Sequence, residues 1–282
     1  MTAVDRQTGV CGVALHRREW HPAGQPRAAV AIVHGQGDAI NRYECSVARL
    51  LVAHGIACTG IDLPGHGRSP GKRGDIPGLA FVRAVLGETF AAAANLAPGM
   101  PVGVFAHSMG GLLAIDWLAA AGTPRPAFLW LSSPLINPVH RQSKLRVACC
   151  RLLGMAAPWW MLDSGVRPGD CRHDDPKIDQ SPALATLHSH IRLGWALELL
   201  AVAGRLPQVV QCLPARLPVL LTQGLADPVC PADRARALFE ALPCAPKRLL
   251  EFPGGLHEPF EDTCRDECLA AAGRWLGETL GA

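Results

Sequence analysis

The sequence predicts an α/β fold with a mostly parallel central sheet flanked by helices and a helical cap inserted in the second half of the chain. Three observations predict it. Short apolar runs bounded by Gly or Pro recur along the chain, as expected of strands covered on both faces. Longer helical patterns alternate with them, which argues for a parallel sheet. Between residues 134 and 216 the alternation stops, and helical patterns punctuated by prolines from Pro134 to Pro214 replace it.

Taken in order, Val10 to His16 reads as an additional edge strand. Ala28 to Val33, Ile56 to Ile61, Val102 to Ala106, Phe128 to Leu131, Val219 to Thr222 and Arg248 to Phe252 read as buried strands. Helices are expected at Tyr43 to His54, Leu79 to Leu96, Met109 to Ala121, Ala232 to Leu242 and Cys264 to Leu280. Within the insertion, helical patterns cover Lys144 to Leu153 and His190 to Val202. The expected division is a core of residues 1–133 and 217–282 and a cap or lid of residues 134–216.

A chain of 282 residues can bury a sizeable core, and its 49% hydrophobic content and net charge of +3 exclude a disordered polymer. No run of like charges forms a basic stripe, so no nucleic-acid partner is expected. No stretch reads as a membrane span, because the apolar helix Leu112 to Ala121 is short and interrupted by Asp116. The start, Met1 to Arg6, lacks the apolar centre of a secretory signal, so a cytoplasmic location is expected. The 11 cysteines are odd in number and scattered, which suits reduced thiols. Cys264 and Cys268 read as two small residues on one helix face. His188-Ser189-His190 and Cys171-Arg172-His173 lack the spaced partner pairs of a zinc site, so no metal is expected.

The segment with the most chemistry is Val104-Phe105-Ala106-His107-Ser108-Met109-Gly110-Gly111. An apolar strand ends in Ala-x-Ser-x-Gly and a helix begins at once, the context that a nucleophile elbow demands. The residues two before and two after the serine lie close together in such a turn, so both must be small, as Ala106 and Gly110 are. The helix N-terminus beneath Ser108 adds N–H groups where an oxyanion would develop. A serine that merely caps a helix would look alike locally.

Four segments in order now resemble the α/β-hydrolase superfamily, and within it the monoacylglycerol lipase and lysophospholipase branch of serine hydrolases, which is serine aminopeptidase S33-like. They are His34-Gly35-Gln36-Gly37 with Asn41-Arg42-Tyr43-Glu44, then Asp62-Leu63-Pro64-Gly65-His66-Gly67-Arg68-Ser69 with Gly71-Lys72-Arg73-Gly74, the serine elbow, and Gln223-Gly224-Leu225-Ala226-Asp227-Pro228-Val229 with Gly254-Gly255-Leu256-His257-Glu258. The chain departs from the common pattern at Ala106 (Gly elsewhere), Pro64 (Arg elsewhere) and Gln36 (a small residue elsewhere). The resemblance implies an α/β-hydrolase fold and covers nearly the whole chain, least well in the cap.

Ser108 needs a base, since a serine alkoxide is unavailable at neutral pH. His257 follows the last expected strand by a short Gly-rich loop, and Asp227 follows the strand Val219 to Thr222, so both belong at the carboxyl edge of the sheet with the elbow. The order Ser, Asp, His is that of the fold. Met109 N–H is one expected oxyanion donor, and by resemblance Gln36 N–H is the other. The Gln36 side chain is expected near the site as well. His34 and His66 read as loop-ordering residues, and His107 is expected to point away from Ser108.

In the insertion, Trp159, Trp160 and Met161 follow Pro158 and read as an apolar flap, either packing the cap or walling an acyl chain or touching lipid. The cap carries ten Lys+Arg against six Asp+Glu, a slightly basic mouth. The expected activity is cleavage of carboxylic esters (monoacylglycerol, lysophospholipid or short acyl ester) through an acyl-enzyme on Ser108, with no cofactor. The expected partner is that small ester or lipid, with transient membrane contact through the cap. A thioesterase, lactonase or peptidase with the same triad remains open, as does a non-catalytic binding protein on this scaffold. Dehalogenase and epoxide hydrolase chemistry is disfavoured, because those relatives use a carboxylate nucleophile where this chain has Ser108.

Overall fold

Alternating side chains sort the central strands between two apolar layers. In β3 (Ala28–Val33), Ala29, Ala31 and Val33 join one buried cluster, while Ala28, Val30 and Ile32 join the other. This is the period of two that a strand covered on both faces must show. The computed structural model describes residues 1–140, 142–174 and 186–281, so Arg141 and residues 175–185 of the expected cap lie outside the described residues, with Pro176 and Pro182 among them.

Among the described residues, β3 runs parallel to β4 (Ile56–Ile61) and β5 (Val102–His107), and the parallel run continues through β6 (Leu129–Ser132). Beyond the insertion it is completed by β9 (Val219–Gly224) and β10 (Lys247–Phe252). An antiparallel pair, β1 (Thr2–Val10) and β2 (Val13–His21), extends the other side through β4, giving the order β1-β2-β4-β3-β5-β6-β9-β10. One face is covered by α2 (Leu79–Leu96), α3 (Met109–Leu118) and α8 (Ala232–Ala241), the other by α1 (Val47–Ala53) and α9 (Arg265–Leu280). Each fully buried Leu, Ile or Phe in these layers is worth about 1.5–3 kcal/mol of hydrophobic stabilisation.

The inserted residues form α4 (Lys144–Ala156), β7 (Met161–Asp163), the short turn of helix α5 (Pro168–Cys171), β8 (His190–Arg192), α6 (Leu193–Gly204) and α7 (Leu206–Val210). Trp195, Leu199 and Val202 of α6 and Leu206 and Val210 of α7 are buried in the same cluster as α3, so this end of the insertion is anchored on the core.

Several boundaries differ from the sequence reading. The expected edge strand Val10 to His16 straddles a turn. Cys11 and Gly12 both take positive φ (47° and 80°), which joins two antiparallel strands by a two-residue connection. The insertion is not wholly helical, since β7 and β8 pair antiparallel and delay α6 to Leu193. The helix expected from Tyr43 breaks at Ser46, between a 3-10 turn (Ile40–Cys45) and α1. The one helix among the described residues that is long and apolar enough to cross a membrane is α2 rather than the segment at Leu112, and its Val82, Val85, Leu86 and Phe90 pack against the sheet.

Candidate active site

All the loops named from the sequence meet at the carboxyl edge of the parallel strands, because every such strand runs in one direction. Ser108 follows β5 and caps α3 with φ 54° and ψ −120°. That left-handed backbone is unusual for a non-glycine residue and is held by its surroundings. The Ser108 N–H donates to the Ser132 carbonyl at 3.0 Å, and the Ser108 carbonyl accepts from Gly111 and Leu135 N–H, each at 2.9 Å. The turn is tight enough that a Cβ on Gly110 would lie 2.5 Å from the Val33 carbonyl oxygen.

His257 Nε2 lies 2.8 Å from Ser108 Oγ, and His257 Nδ1 lies 2.8 Å from Asp227 Oδ2. The other carboxylate oxygen of Asp227 accepts from the N–H groups of Val229 (2.7 Å) and Cys230 (2.9 Å). His257 and Asp227 are buried, while Ser108 is partly open to the cavity. Burial opposes charge on both groups. The Asp227 carboxylate nevertheless raises the His257 imidazole well above its ordinary value, and His257 with the two amides lowers Asp227. The geometry fixes the tautomer: with Nδ1–H donated to Asp227, Nε2 is left to accept the Ser108 proton.

Met109 N–H opens α3 directly after the serine, and the His34-Gly35-Gln36-Gly37 loop follows β3. Gly35 packs so close that an added Cβ would stand 3.2 Å from Ser108 Cβ. The Gln36 side chain does not point at the serine. Its Nε2 donates to the His190 carbonyl at 2.9 Å, and its Oε1 accepts from Trp195 Nε1 at 3.2 Å. His34 does order its loop, pairing with the Gly35 carbonyl (2.8 Å) and accepting from Leu63 N–H (3.0 Å). His66 is buried in its turn against the Pro64 carbonyl at 3.0 Å. His107 turns to the Ser132 carbonyl at 3.1 Å and packs its ring 4.9 Å from that of His257; burial and the nearby His257 push it down to about 4, so it is neutral.

A cavity of about 330 Å³ opens over Ser108. Trp159, Trp160 and Met161 do not line it, which corrects their expected place as a wall around substrate. Trp159 and Trp160 are 68% and 59% exposed, because they occupy the turn between α4 and β7 and project into solvent. Two groups had no assigned role in the sequence reading. Gln223 Nε2 donates to Asp227 Oδ2 at 3.0 Å from inside β9. Buried Arg42 joins Asp38 and Glu258 beside the cavity, with Arg172 of the insertion also on Glu258 at 3.2 Å. The signal for that network was charge: Arg42 lies in the motif segment Asn41-Arg42-Tyr43-Glu44, and Glu258 directly follows the motif histidine. Among the described residues, Asp227, Cys230 and His257 are the one group with the donor set and spacing of a metal site, and their carboxylate and imidazole are engaged in the triad bonds.

The chain as a whole is similar to known proteins. The family description serine aminopeptidase, S33, matches residues 24–264. The chain is 32% identical to the monoglyceride lipase of Rattus norvegicus over 87% of its own length and 80% of that protein. It is 26% identical to an uncharacterized abhydrolase domain-containing protein of Dictyostelium discoideum over 94% of its length, but spans 28% of that longer relative. The crystal structure of Paleococcus ferrophilus monoacylglycerol lipase superposes with a TM-score of 0.79 at 27% identity, covering 94% of this chain and 99% of that one. On the matched span, the sheet order and the shared motifs, the chain belongs to the serine aminopeptidase S33 family of α/β-hydrolases.

Proposed function

We propose that this carboxylic ester hydrolase works through Ser108 as nucleophile, His257 as general base and Asp227 as the carboxylate that orients the imidazole. One observation carries the reading: Asp227, His257 and Ser108 stand in line at two 2.8 Å contacts on a strained elbow. In acylation, Ser108 Oγ bonds to the ester carbonyl carbon while its proton passes to His257 Nε2. Charge gathers on the carbonyl oxygen, where the Met109 and Gln36 N–H groups are the assigned donors. As the tetrahedral centre collapses, the ester C–O bond breaks and the alcohol leaves with the proton from His257. Water repeats the sequence, giving its own proton to His257 and releasing the acid from Ser108.

The substrate class assigned is a monoacylglycerol, as the names of the rat and Paleococcus relatives suggest, with a lysophospholipid or a short acyl ester as the other members of the class. The cavity is polar at Arg42 and Glu258 and apolar at Leu135, Ile191 and Leu199. A second, apolar space of about 110 Å³ between α4 and α6 shares Pro138, Ile191 and Leu199 with it and extends the route for an acyl chain. Residues 134–216 are assigned as the cap. Its outer face presents Leu145, Leu152, Leu153, Met155, Trp159 and Trp160, a patch suited to transient contact with a lipid surface. All eleven cysteines are unpaired thiols, which suits a reducing, cytoplasmic setting.

The test is a fluorophosphonate probe followed by p-nitrophenyl esters of rising chain length and a monoacylglycerol. Covalent labelling at Ser108 with turnover that rises with acyl length is the expected result. Folded protein that is neither labelled nor active would favour a binding protein, and thioester or peptide turnover above ester turnover would reassign the substrate.

A further inference from the structure

The loop that supplies the second oxyanion donor is held by the cap at two consecutive residues. Gln36 spends its whole side-chain amide there: Nε2 donates to the His190 carbonyl in β8 at 2.9 Å, and Oε1 accepts from the indole N–H of fully buried Trp195 in α6 at 3.2 Å. Next to it, the Gly37 carbonyl accepts from His188 N–H at 3.0 Å. Gly37 has φ 72°, and any Cβ there would collide with the His188 carbonyl. On the other side, Gly35 adjoins Ser108. The loop is thus a flexible Gly-x-Gly peptide whose single side chain is tied to the cap rather than to the core.

We propose that Gln36 and Trp195 form a latch through which the cap positions the Gln36 N–H for the developing oxyanion. The inference rests on the assignment of Ser108 and the oxyanion donors above. Its physical basis is directional. An oxyanion donor is effective only when preorganised, and a glycine-flanked peptide has little stiffness of its own. Anchoring the side chain at both polar atoms removes the rotation that would swing the N–H away. Seating of the cap and competence of the hole are therefore one event, and Gln36 acts as a positioning residue through its side chain while its backbone serves the reaction.

The experiment compares Trp195→Phe, Gln36→Ala and the double variant on p-nitrophenyl acetate, whose acetyl group makes the least demand on the acyl-chain route. Trp195→Phe keeps an aromatic ring in the core, though a smaller one than indole, and deletes the N–H. The expected result is kcat lowered about tenfold in each single variant, with KM within twofold, and no further loss in the double variant, because both changes break one device. Removing an oxyanion donor outright costs about 10²–10³ in kcat, so a loosened donor should cost less. Affinity for an alkyl boronic acid, which places an anionic oxygen in the hole, should fall by the same factor as kcat. Should Trp195→Phe fold poorly, Gln36→Glu is the second variant, since a carboxylate still accepts from Trp195 but has no hydrogen for His190; it too should lose kcat. Ser108→Ala serves as the reference. If Ser108→Ala is inactive while Trp195→Phe keeps wild-type kcat and boronate affinity, the latch alone is overturned. If Ser108→Ala still turns over, the triad reading falls and the latch with it.

Discussion

The Nε2 atom of His257 lies 2.8 Å from Oγ of Ser108, although 149 positions separate the two along the chain. The distance is set by four strands rather than by either loop. β5 delivers the serine, β10 delivers the histidine, and β6 and β9 lie between them in parallel register. Asp227, at the end of β9, falls between the other two by the same construction.

Loss of the nucleophile is the first consequence to check. Ser108→Ala should lower ester turnover by roughly 10³–10⁶ and abolish fluorophosphonate labelling, while thermal unfolding stays near wild type. Asp227→Asn should cost about 10³–10⁴. The pH profile adds a sign. Imidazolium cannot accept the serine proton, and Asp227 raises His257 despite burial, so the acid limb of kcat/KM should lie above the ordinary histidine value. In Asp227→Asn that limb should move to lower pH, and an unmoved limb would argue against their electrostatic coupling.

The elbow is sterically full. Gly110→Ala would place a Cβ 2.5 Å from the Val33 carbonyl oxygen and 2.7 Å from that of His34, and both are backbone atoms that cannot swing aside. A loss of about 1–3 kcal/mol, read by urea unfolding, should accompany a fall in turnover. Unchanged stability would mean the β3 loop moves freely, contrary to its hydrogen bonding.

Far from the serine, His16 is clamped between two carboxylates, with Nδ1 2.8 Å from Asp62 and Nε2 3.0 Å from Asp5. Burial lowers its basicity, but the two acids outweigh it and the net shift is upward. A group raised on folding stabilises fully below its unfolded pKa and loses that contribution as pH rises through the folded one. The melting temperatures of wild type and His16→Gln should therefore differ by a few degrees near pH 6 and converge in alkaline buffer. A gap that widens with pH would reverse the assignment.

On the cap, the exposed pair Trp159 and Trp160 should matter only where there is a lipid surface. Trp159→Ser with Trp160→Ser should weaken binding to anionic or neutral vesicles and lower turnover of aggregated monoacylglycerol about fivefold to tenfold. Hydrolysis of a dissolved short ester should be unaffected. An equal fall on both substrates would assign the pair to cap folding.

The apolar space between α4 and α6 predicts chain-length control. Ala196 lines it, and Ala196→Phe should fill it. The ratio of kcat/KM for a long-chain ester to that for the acetyl ester should drop about tenfold. A constant ratio would place the acyl chain elsewhere.

Much of this protein was legible in its residues because the relevant signals are local. Apolar runs marked the core strands within a residue or two, and Leu79 to Leu96 reads as a helix with the same ends in the structure. Small residues around Ser108 named the turn, since only they tolerate it. Cys11 and Gly12 show a miss of another kind: the hairpin depends on two positive φ values that a cysteine conceals.

Contacts between distant segments were beyond local reading. Nothing in the Trp159-Trp160-Met161 run says whether it faces a cavity or solvent; the turn after α4 decided that it faces out. Nothing in Gln36 says that its amide ends on His190 and Trp195, more than 150 positions away. Local chemistry comes from residue type and spacing along a strand or helix, whereas the partners of a side chain come from how separate elements pack, and packing is set by the whole core at once.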